Sequence, residues 1–381
     1  MDKNTLVSSF GKWVAPINTK KLEDHVEKTG QDKYVKKLTT RAYLLFFLHA
    51  HLEKRDGLRA IADDALQEEF QQEIGLTSIS AAQLSRKHRR VEPSLLAELF
   101  IDLVHKLRPH SRHTCAWKEE LRIVDCSTVS LCLNKYKWTT FRKTKAGVKI
   151  HLRLVFLNDN DVVPDKVEIT SPKPSDRTQM ETLIDETGAT YVFDRGHVDY
   201  EKFDQYCEQG IFFTSRLKKN AVIRPLSSFS VAEESPVLSD MMVYLGTPQK
   251  RMENPVRLIE TVDDQGNSFR IVTNRFDLSA EEISDIYRAR WAIELFFKWL
   301  KQHVKIKTFY GTSKNTVANQ IYLALIFYCL VLLVKAETKT NHSLLQLTRW
   351  LTAFLCKPWE KWFERIRYRS DRASRGRQKK K

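Results

Sequence analysis

Cysteine is scarce in this chain of 381 residues: its six copies, Cys115, Cys126, Cys132, Cys207, Cys329 and Cys356, include no CxxC pair. That argues against a disulfide framework and points to free thiols in a reducing compartment. The one metal-like cluster, His110, His113 and Cys115, has no second ligand pair in register, which argues against a structural zinc. Long hydrophobic runs are missing too. The longest, Ile321 to Val334, is fourteen residues, too short to span a bilayer, and it reads as a buried helix. No signal peptide opens the chain, no internal repeat divides it, and no tryptophan lies between Asp194 and Trp291.

What is present is a globular composition, 42% hydrophobic and 29% charged, with a strong excess of one sign. The net charge of +16 predicts a polyanionic partner. Residues 365–381 hold nine basic residues and one acidic, so half of the excess sits in a tail with too little apolar content to fold alone.

The first 115 residues read as an all-helical N-terminal domain. Thr39 and Thr40 can cap one helix, Asp56 a second and Ser80 a third, SAAQLSRKHRRV, whose Arg86, Lys87, Arg89 and Arg90 surround His88. Two short helices followed by a basic one suit a DNA-reading module, with Arg86 and Arg89 as candidate contacts. From about residue 119 the period changes. LRIVDCSTVSLCL, VKIHLRLVFL and VVPDKVEIT read as strands, followed by a helix capped by Asp176 and ended by Gly188, then the strand TYVFD, the helix DYEKFDQYCEQ and the strand IFFTSRL. Residues 217–278 read as a β-rich insertion containing MMVYLG, VRLIETV and FRIVTN, the last two joined by a turn at Asp264 to Asn267.

After the insertion, Ser279 with Glu282 forms a capping box for a helix predicted to run to Gln302. Tyr287, Arg290, Glu294 and Lys301 fall within an arc of about 60° on it. Ala289, Ile293, Phe296 and Leu300 occupy the opposite face and seat it on a core. Two further carboxylates, Asp125 and Asp194, each end a hydrophobic run that reads as a strand, which is where α/β sites gather acidic side chains. Three carboxylates from two strands and a helix meet the needs of two-metal phosphoryl transfer, with two Mg²⁺ ions, or Mn²⁺ in their place, held by few protein oxygens. Arginine and lysine neighbours would hold the phosphates.

The spacing Tyr287, two residues, Arg290, three residues, Glu294, six residues, Lys301 resembles the signature of bacterial insertion-sequence DDE transposases of the YREK group, insertion-sequence family four. The stretches VTNRFDLSAEEISDIYRARWAIELFFKWLKQHVKIKTFYGTS, FFTSRLKKNA and DKYVKKLTT are similar to that family as well. The resemblance implies an α/β architecture: an RNase H-like catalytic core over 116–310, preceded by the helical domain 1–115 and followed by C-terminal helices over 311–364 and the basic tail 365–381. It implies a transposase that cleaves the ends of its insertion sequence and joins them to target DNA. Double-stranded DNA would be the partner, a homodimer the synaptic assembly, and the bacterial cytoplasm and nucleoid the location, with no membrane role. By position, Asp125, Asp194 and Glu294 would bind the metals and perform catalysis. Tyr287, Arg290 and Lys301 would hold DNA phosphates. Arg195 joins them by adjacency to Asp194, and Lys298 by facing the same way as Glu294.

Two departures from the family stand out. His197 replaces a common aromatic after Asp-Arg-Gly, and the tryptophan on which relatives stack a flipped base during hairpin formation has no counterpart in the insertion. Tyr244, Phe229 and Phe269 are the aromatic substitutes, since any aromatic face can stack on a base. The alternatives are an RNase H-like nuclease or resolvase that cuts without joining, and a transposase-derived DNA-binding protein without activity.

Overall fold

The computed structural model describes residues 8–111, 120–158, 161–173, 179–263, 265–303 and 309–368. His113, Cys115, Asp176, Asp264 and the tail beyond Tyr368 therefore lie outside the described residues. The chain divides into two compact units, one formed by Met1–Leu107 with Tyr322–Lys381, the other by Arg108–Ile321.

In the first unit, the helices before the sheet are α1 (Ser9–Val14), α2 (Thr19–Thr29), α3 (Thr40–Leu52), α4 (Leu58–Asp63), α5 (Glu68–Ile74), α6 (Ala81–Arg90) and α7 (Pro93–Ser111). The caps explain where several begin. Thr39 accepts from the Ala42 N–H at the start of α3, and Ser80 with Gln83 forms a complete capping box on α6. The expected cap at Asp56 is corrected: Gly57 is the N-cap of α4 and supplies no side-chain bond. Every residue of α3 except Arg41 is buried, so it is the axis of this unit and not an amphipathic surface helix.

The second unit begins with β1 (Leu121–Leu131), β2 (Thr140–Arg142), β3 (Lys145–Asn158) and β4 (Asp161–Thr170). One-turn helix α8 (Met180–Leu183), β5 (Thr190–Phe193), α9 (Tyr200–Gln209) and β6 (Phe212–Arg216) follow. Strands β7 (Ile223–Ser228), β8 (Val237–Thr247), β9 (Lys250–Arg251), β10 (Val256–Val262) and β11 (Ser268–Thr273) make up the expected insertion. They extend the same sheet. Its order is β2-β3-β1-β5-β6-β11-β10-β8-β7, with β4 on β3 and β9 on β8. The β1–β5 and β5–β6 pairs are parallel, and β11 joins β6 antiparallel. One core runs through both parts: Val124, Tyr191, Phe193 and Phe213 share it with Val243, Leu245, Val256, Leu258 and Val272. Helices α8 and α9 contribute Leu183, Phe203 and Tyr206 to that face.

The helix predicted from Ser279 to Gln302 is corrected to two, α10 (Ala280–Ala289) and α11 (Trp291–His303), meeting at Arg290. There the N–H of Arg290 bonds to Tyr287 O at 3.1 Å and that of Ile293 to Arg290 O at 3.2 Å. These three-residue spacings tighten the turn and interrupt the α ladder. The seating face is as expected: Ala289, Ile293, Phe296 and Leu300 are buried.

Helix α12 (Lys314–Thr338) contains the longest apolar run. Its 25 residues make it long and apolar enough to cross a membrane, a correction to the expectation from the run alone, but 89% of its most apolar window is buried within the protein. Helices α13 (Leu344–Phe354) and α14 (Trp359–Arg367) follow it. From Tyr322 onward these helices share a core with the N-terminal ones. Trp13 packs edge-on against Phe327 at 5.3 Å, and the Ser9 and Phe10 N–H groups bond to Lys357 O and Leu355 O. The segment expected as separate C-terminal helices thus completes the N-terminal unit.

Candidate active site

Parallel register places the first two carboxylates. Ile123 of β1 lies opposite Val192 of β5, so two residues further along, Asp125 and Asp194 are level and on the same face. Asp125 does not end its strand as expected. It sits mid-strand opposite Leu152, because β3 continues to pair with β1 as far as Leu131. The parallel neighbour, by contrast, stops at Phe193, and Asp194 begins a tight turn in which its carbonyl accepts from the His197 N–H at 3.0 Å. Asp125 thus lies where the parallel pairing gives out.

The turn brings His197 back over Phe193, with ring centroids 6.3 Å apart. Its imidazole is 7% exposed, and Nδ1 meets no hydrogen-bond partner among the described residues. Potential ligand atoms of Asp125, Cys126 and His197 all lie within 4.8 Å of one another. Asp194 and Glu294 stand outside that tight group. Burial pushes the Asp125 carboxyl above its ordinary value. The Cys126 N–H, donating at 2.7 Å, and the charges of His197 and Arg290 pull it down, while Asp194 pushes it up again.

The helices cover this face of the sheet. Arg290, at the junction of α10 and α11, pairs with Glu294 at 2.7 Å and lies 5.8 Å from the centre of the Tyr287 ring. The Asp194 charge acts on Arg290 and Tyr287, and that of Arg290 on Asp125, so these residues form one electrostatic cluster. Arg290 Nε is buried and has no acceptor among the described residues. Lys301, nearly two turns beyond Glu294, donates to Ser127 Oγ at 2.5 Å and thereby ties α11 to β1 on the Asp125 face.

Tyr287 does not lie on a solvated face. It is 8% exposed and packs against Phe269 at 5.9 Å, and burial raises its hydroxyl pKa against the pull of Arg290. Arg216 lies over the other side of this aromatic pair, 5.0 Å from the Phe269 ring. Arg195, Arg216, Lys219, Arg270 and Phe269, with Glu260 as the one carboxylate, line a mainly basic cavity of about 200 Å³. Sequence reading named Arg195 but missed Arg216, Lys219 and Arg270. The first two lie in the FFTSRLKKNA stretch, so the signal was present without a face to assign it to. Of the three aromatic substitutes, Phe269 stands in this cluster, while Phe229 and Tyr244 carry Arg257 and Arg251 over their rings. Lys298 is exposed on α11, and Arg86 and Arg89 belong to the other unit.

Three carboxylates, a half-buried arginine with an unused N–H and an un-ionised phenol can together hold a hard cation and a phosphate. The chemistry of the donor set fits a divalent metal, and the field between Asp125 and Asp194 is what such a cation would relieve.

The family described as Transposase DDE domain matches residues 116–330, more than half of the chain. A family described as a domain of unknown function (DUF4372) matches residues 5–77. The chain is 29% identical over 353 residues to a probable transposase for insertion sequence element IS5377 from Geobacillus stearothermophilus, covering 90% of this chain and 89% of that protein. It is 29% identical to a putative transposase of Sinorhizobium fredii, covering 70% and 74%. A third relative, a putative transposase for insertion sequence element IS4SA from Synechocystis, is 25% identical, covering 74% and 79%. Among solved structures, the chain resembles a piggyBac transposase synaptic complex with hairpin DNA at a TM-score of 0.48 and 9% identity, over 96% of this chain and 83% of that one.

Proposed function

We infer, from a chain that belongs to the DDE transposase family, that Asp125, Asp194 and Glu294 are the metal-binding carboxylates of a DNA transposase acting on the ends of its own insertion sequence. The protein is a metal-dependent enzyme that cleaves DNA and transfers strands. The observation that carries the residue assignment is the placement of Asp125 on β1 level with Asp194 just past the end of its parallel neighbour β5, beside the Arg290–Glu294 pair. Three long antiparallel strands, β1, β3 and β4, followed by β5 and β6 parallel to β1, support reading 116–310 as an RNase H-like core. The intact spacing from Tyr287 to Lys301 supports membership of the YREK group.

Two Mg²⁺ ions, bound by the three carboxylates, would activate the attacking oxygen and stabilise the leaving one. The chain's own residues position the DNA. The orphan Nε–H of Arg290 donates to a phosphate oxygen next to the scissile bond, and the Tyr287 hydroxyl, kept protonated by burial, donates to the same group. Lys301 supplies charge further along the strand while holding α11 on β1. Arg195 and Arg216, in their basic cavity, take the phosphate path beyond the cut, and Lys298 meets the same strand from α11. Arg86 and Arg89 contact DNA from the helical unit, and two copies of the chain assemble on a pair of ends in the bacterial cytoplasm.

The deciding experiment uses DNA carrying the sequences that flank this reading frame, a supercoiled target and Mg²⁺. Products joined to the target are expected. Cleavage without joining would move the protein to the nuclease or resolvase class, and binding without cleavage to the inactive DNA-binding class.

A further inference from the structure

A second basic groove lies in the helical unit, between the loop joining α2 to α3 and the exposed side of α6. It has a volume of about 660 Å³ and is lined by Lys33, Lys36, Lys37, Arg86, Lys87 and Arg90, with no acidic residue in its wall. The loop is built as a rigid rim. Asp32 accepts from the N–H and hydroxyl of Thr40, each at 2.8 Å, and forms an ion pair with Lys87. Gln31 donates from its amide to Arg90 O at 3.1 Å and accepts from the Glu92 N–H at 2.9 Å. Lys87, 7% exposed, is thereby consumed in fixing the loop to α6. The other five cations are exposed, and among the described residues none has a carboxylate partner.

On this rim stands Tyr34. It is 90% exposed, its φ of 62° lies in the left-handed region that a tyrosine rarely adopts, and its ring neighbours the Lys33 ammonium at 5.3 Å. An aromatic held out in water on a strained backbone costs free energy twice, and such costs persist where a ligand uses them. Five uncompensated cations around it identify an anionic ligand, and the presented ring identifies one with flat faces. A polyacidic peptide would satisfy the charges alone. Nucleic acid satisfies both.

We propose that this groove, which falls partly within the domain of unknown function, binds the sugar–phosphate backbone of double-stranded DNA, and that Tyr34 stacks on a base unstacked at its edge. The proposal rests on the transposase reading for its choice of DNA, but uses none of the residues of the active site. Lys33, Lys36, Lys37, Arg86 and Arg90 contribute counterion release, which is independent of sequence. Tyr34 contributes stacking, which favours DNA whose bases are already unpaired.

The test measures binding of the full-length protein, by fluorescence anisotropy across a salt series, to a short mixed-sequence duplex and to the same duplex with a small mismatch bubble. Wild type should prefer the bubble. Tyr34→Ala should lose about tenfold on it, with the salt slope unchanged, and Tyr34→Trp should restore the preference. Changing Lys33, Lys36 and Lys37 to Gln should weaken both DNAs alike and reduce the salt slope by about three units. These positions are exposed, so an unchanged thermal unfolding midpoint is expected and separates lost contacts from lost fold. Equal binding of both DNAs by wild type and Tyr34→Ala would overturn the stacking role. An unchanged salt slope in the lysine variant, or a stronger effect of these changes on polyglutamate than on DNA, would overturn the groove assignment. These binding measurements need no Mg²⁺ and no cleavage, so failure of the catalytic assignment and failure of this one remain distinct.

Discussion

Replacing Arg257 with methionine should destabilise the protein by about 3–5 kcal/mol, because it strands a buried carboxylate. Arg257 lies on β10 and is 6% exposed; its partner Asp240, on β8, is 3% exposed. Nε and Nη2 donate to the two Asp240 oxygens at 2.9 and 2.5 Å, while Nη1 donates to Leu278 O at 2.5 Å and Arg275 O at 3.3 Å. The side chain therefore fixes the sheet extension and the turn from which Ser279 caps α10. Removing Asp240 alone, as Asp240→Leu, leaves a buried guanidinium and should cost a similar amount. The double variant removes both charges and should retain only the loss at Leu278 O and Arg275 O, about 1–3 kcal/mol. Urea unfolding of the four proteins gives the coupling, expected at about 3 kcal/mol or more. Strictly additive costs would refute the reasoning, since they would mean that the two charges do not depend on each other for burial.

Acid should weaken the helical unit. Burial holds both His51 and His88 at about 3 from an ordinary value of 6.5, with His51 pressing His88 further down. Their contribution is fully present above about pH 6.5 and is lost as the pH falls toward the folded value, at about 2 kcal/mol each by pH 5. An unfolding free energy that is flat from pH 7 to 5 would contradict this. Gly246→Ala should lower the unfolding midpoint, since φ is 101° and a Cβ would lie 2.1 Å from Lys250 O; a neutral result in thermal unfolding would mean that the β8–β9 turn can open without cost. Arg290→Ala and Lys301→Ala should each lower the salt slope of binding to cut-site DNA by about one unit whatever the terminal bases. A change in the bases accepted would remove Arg290 from the phosphate role.

The sequence pattern carried the strands of the catalytic sheet well, because Asp125 and Asp194 interrupt apolar runs and the runs are rich in β-branched residues. It carried the caps at Thr39, Ser80 and Ser279 because capping chemistry is local. It missed the break at Arg290, since one tightened turn hardly disturbs a 3.6-residue period. It placed Asp125 at a strand end because the charge interrupts the apolar run, whereas antiparallel pairing with β3 continues past it. It grouped Lys87 with the other cations of α6, although Asp32, 55 residues away, takes that charge into a part-buried ion pair. The union of the first helices with those after Tyr322 is a contact between chain ends, and such contacts leave no periodic trace. The cluster of Arg216 and Phe269 beside Tyr287 was hidden for the same reason: it is created by the register of β11 on β6.

The central claim is that Asp125, Asp194 and Glu294 act together, and single-turnover cleavage of cognate end DNA in Mg²⁺ tests it most directly. Asp125→Asn, Asp194→Asn and Glu294→Gln should each bind the ends with near-native affinity and cleave them at least about a hundredfold more slowly. Native cleavage by any one of the three would contradict the account.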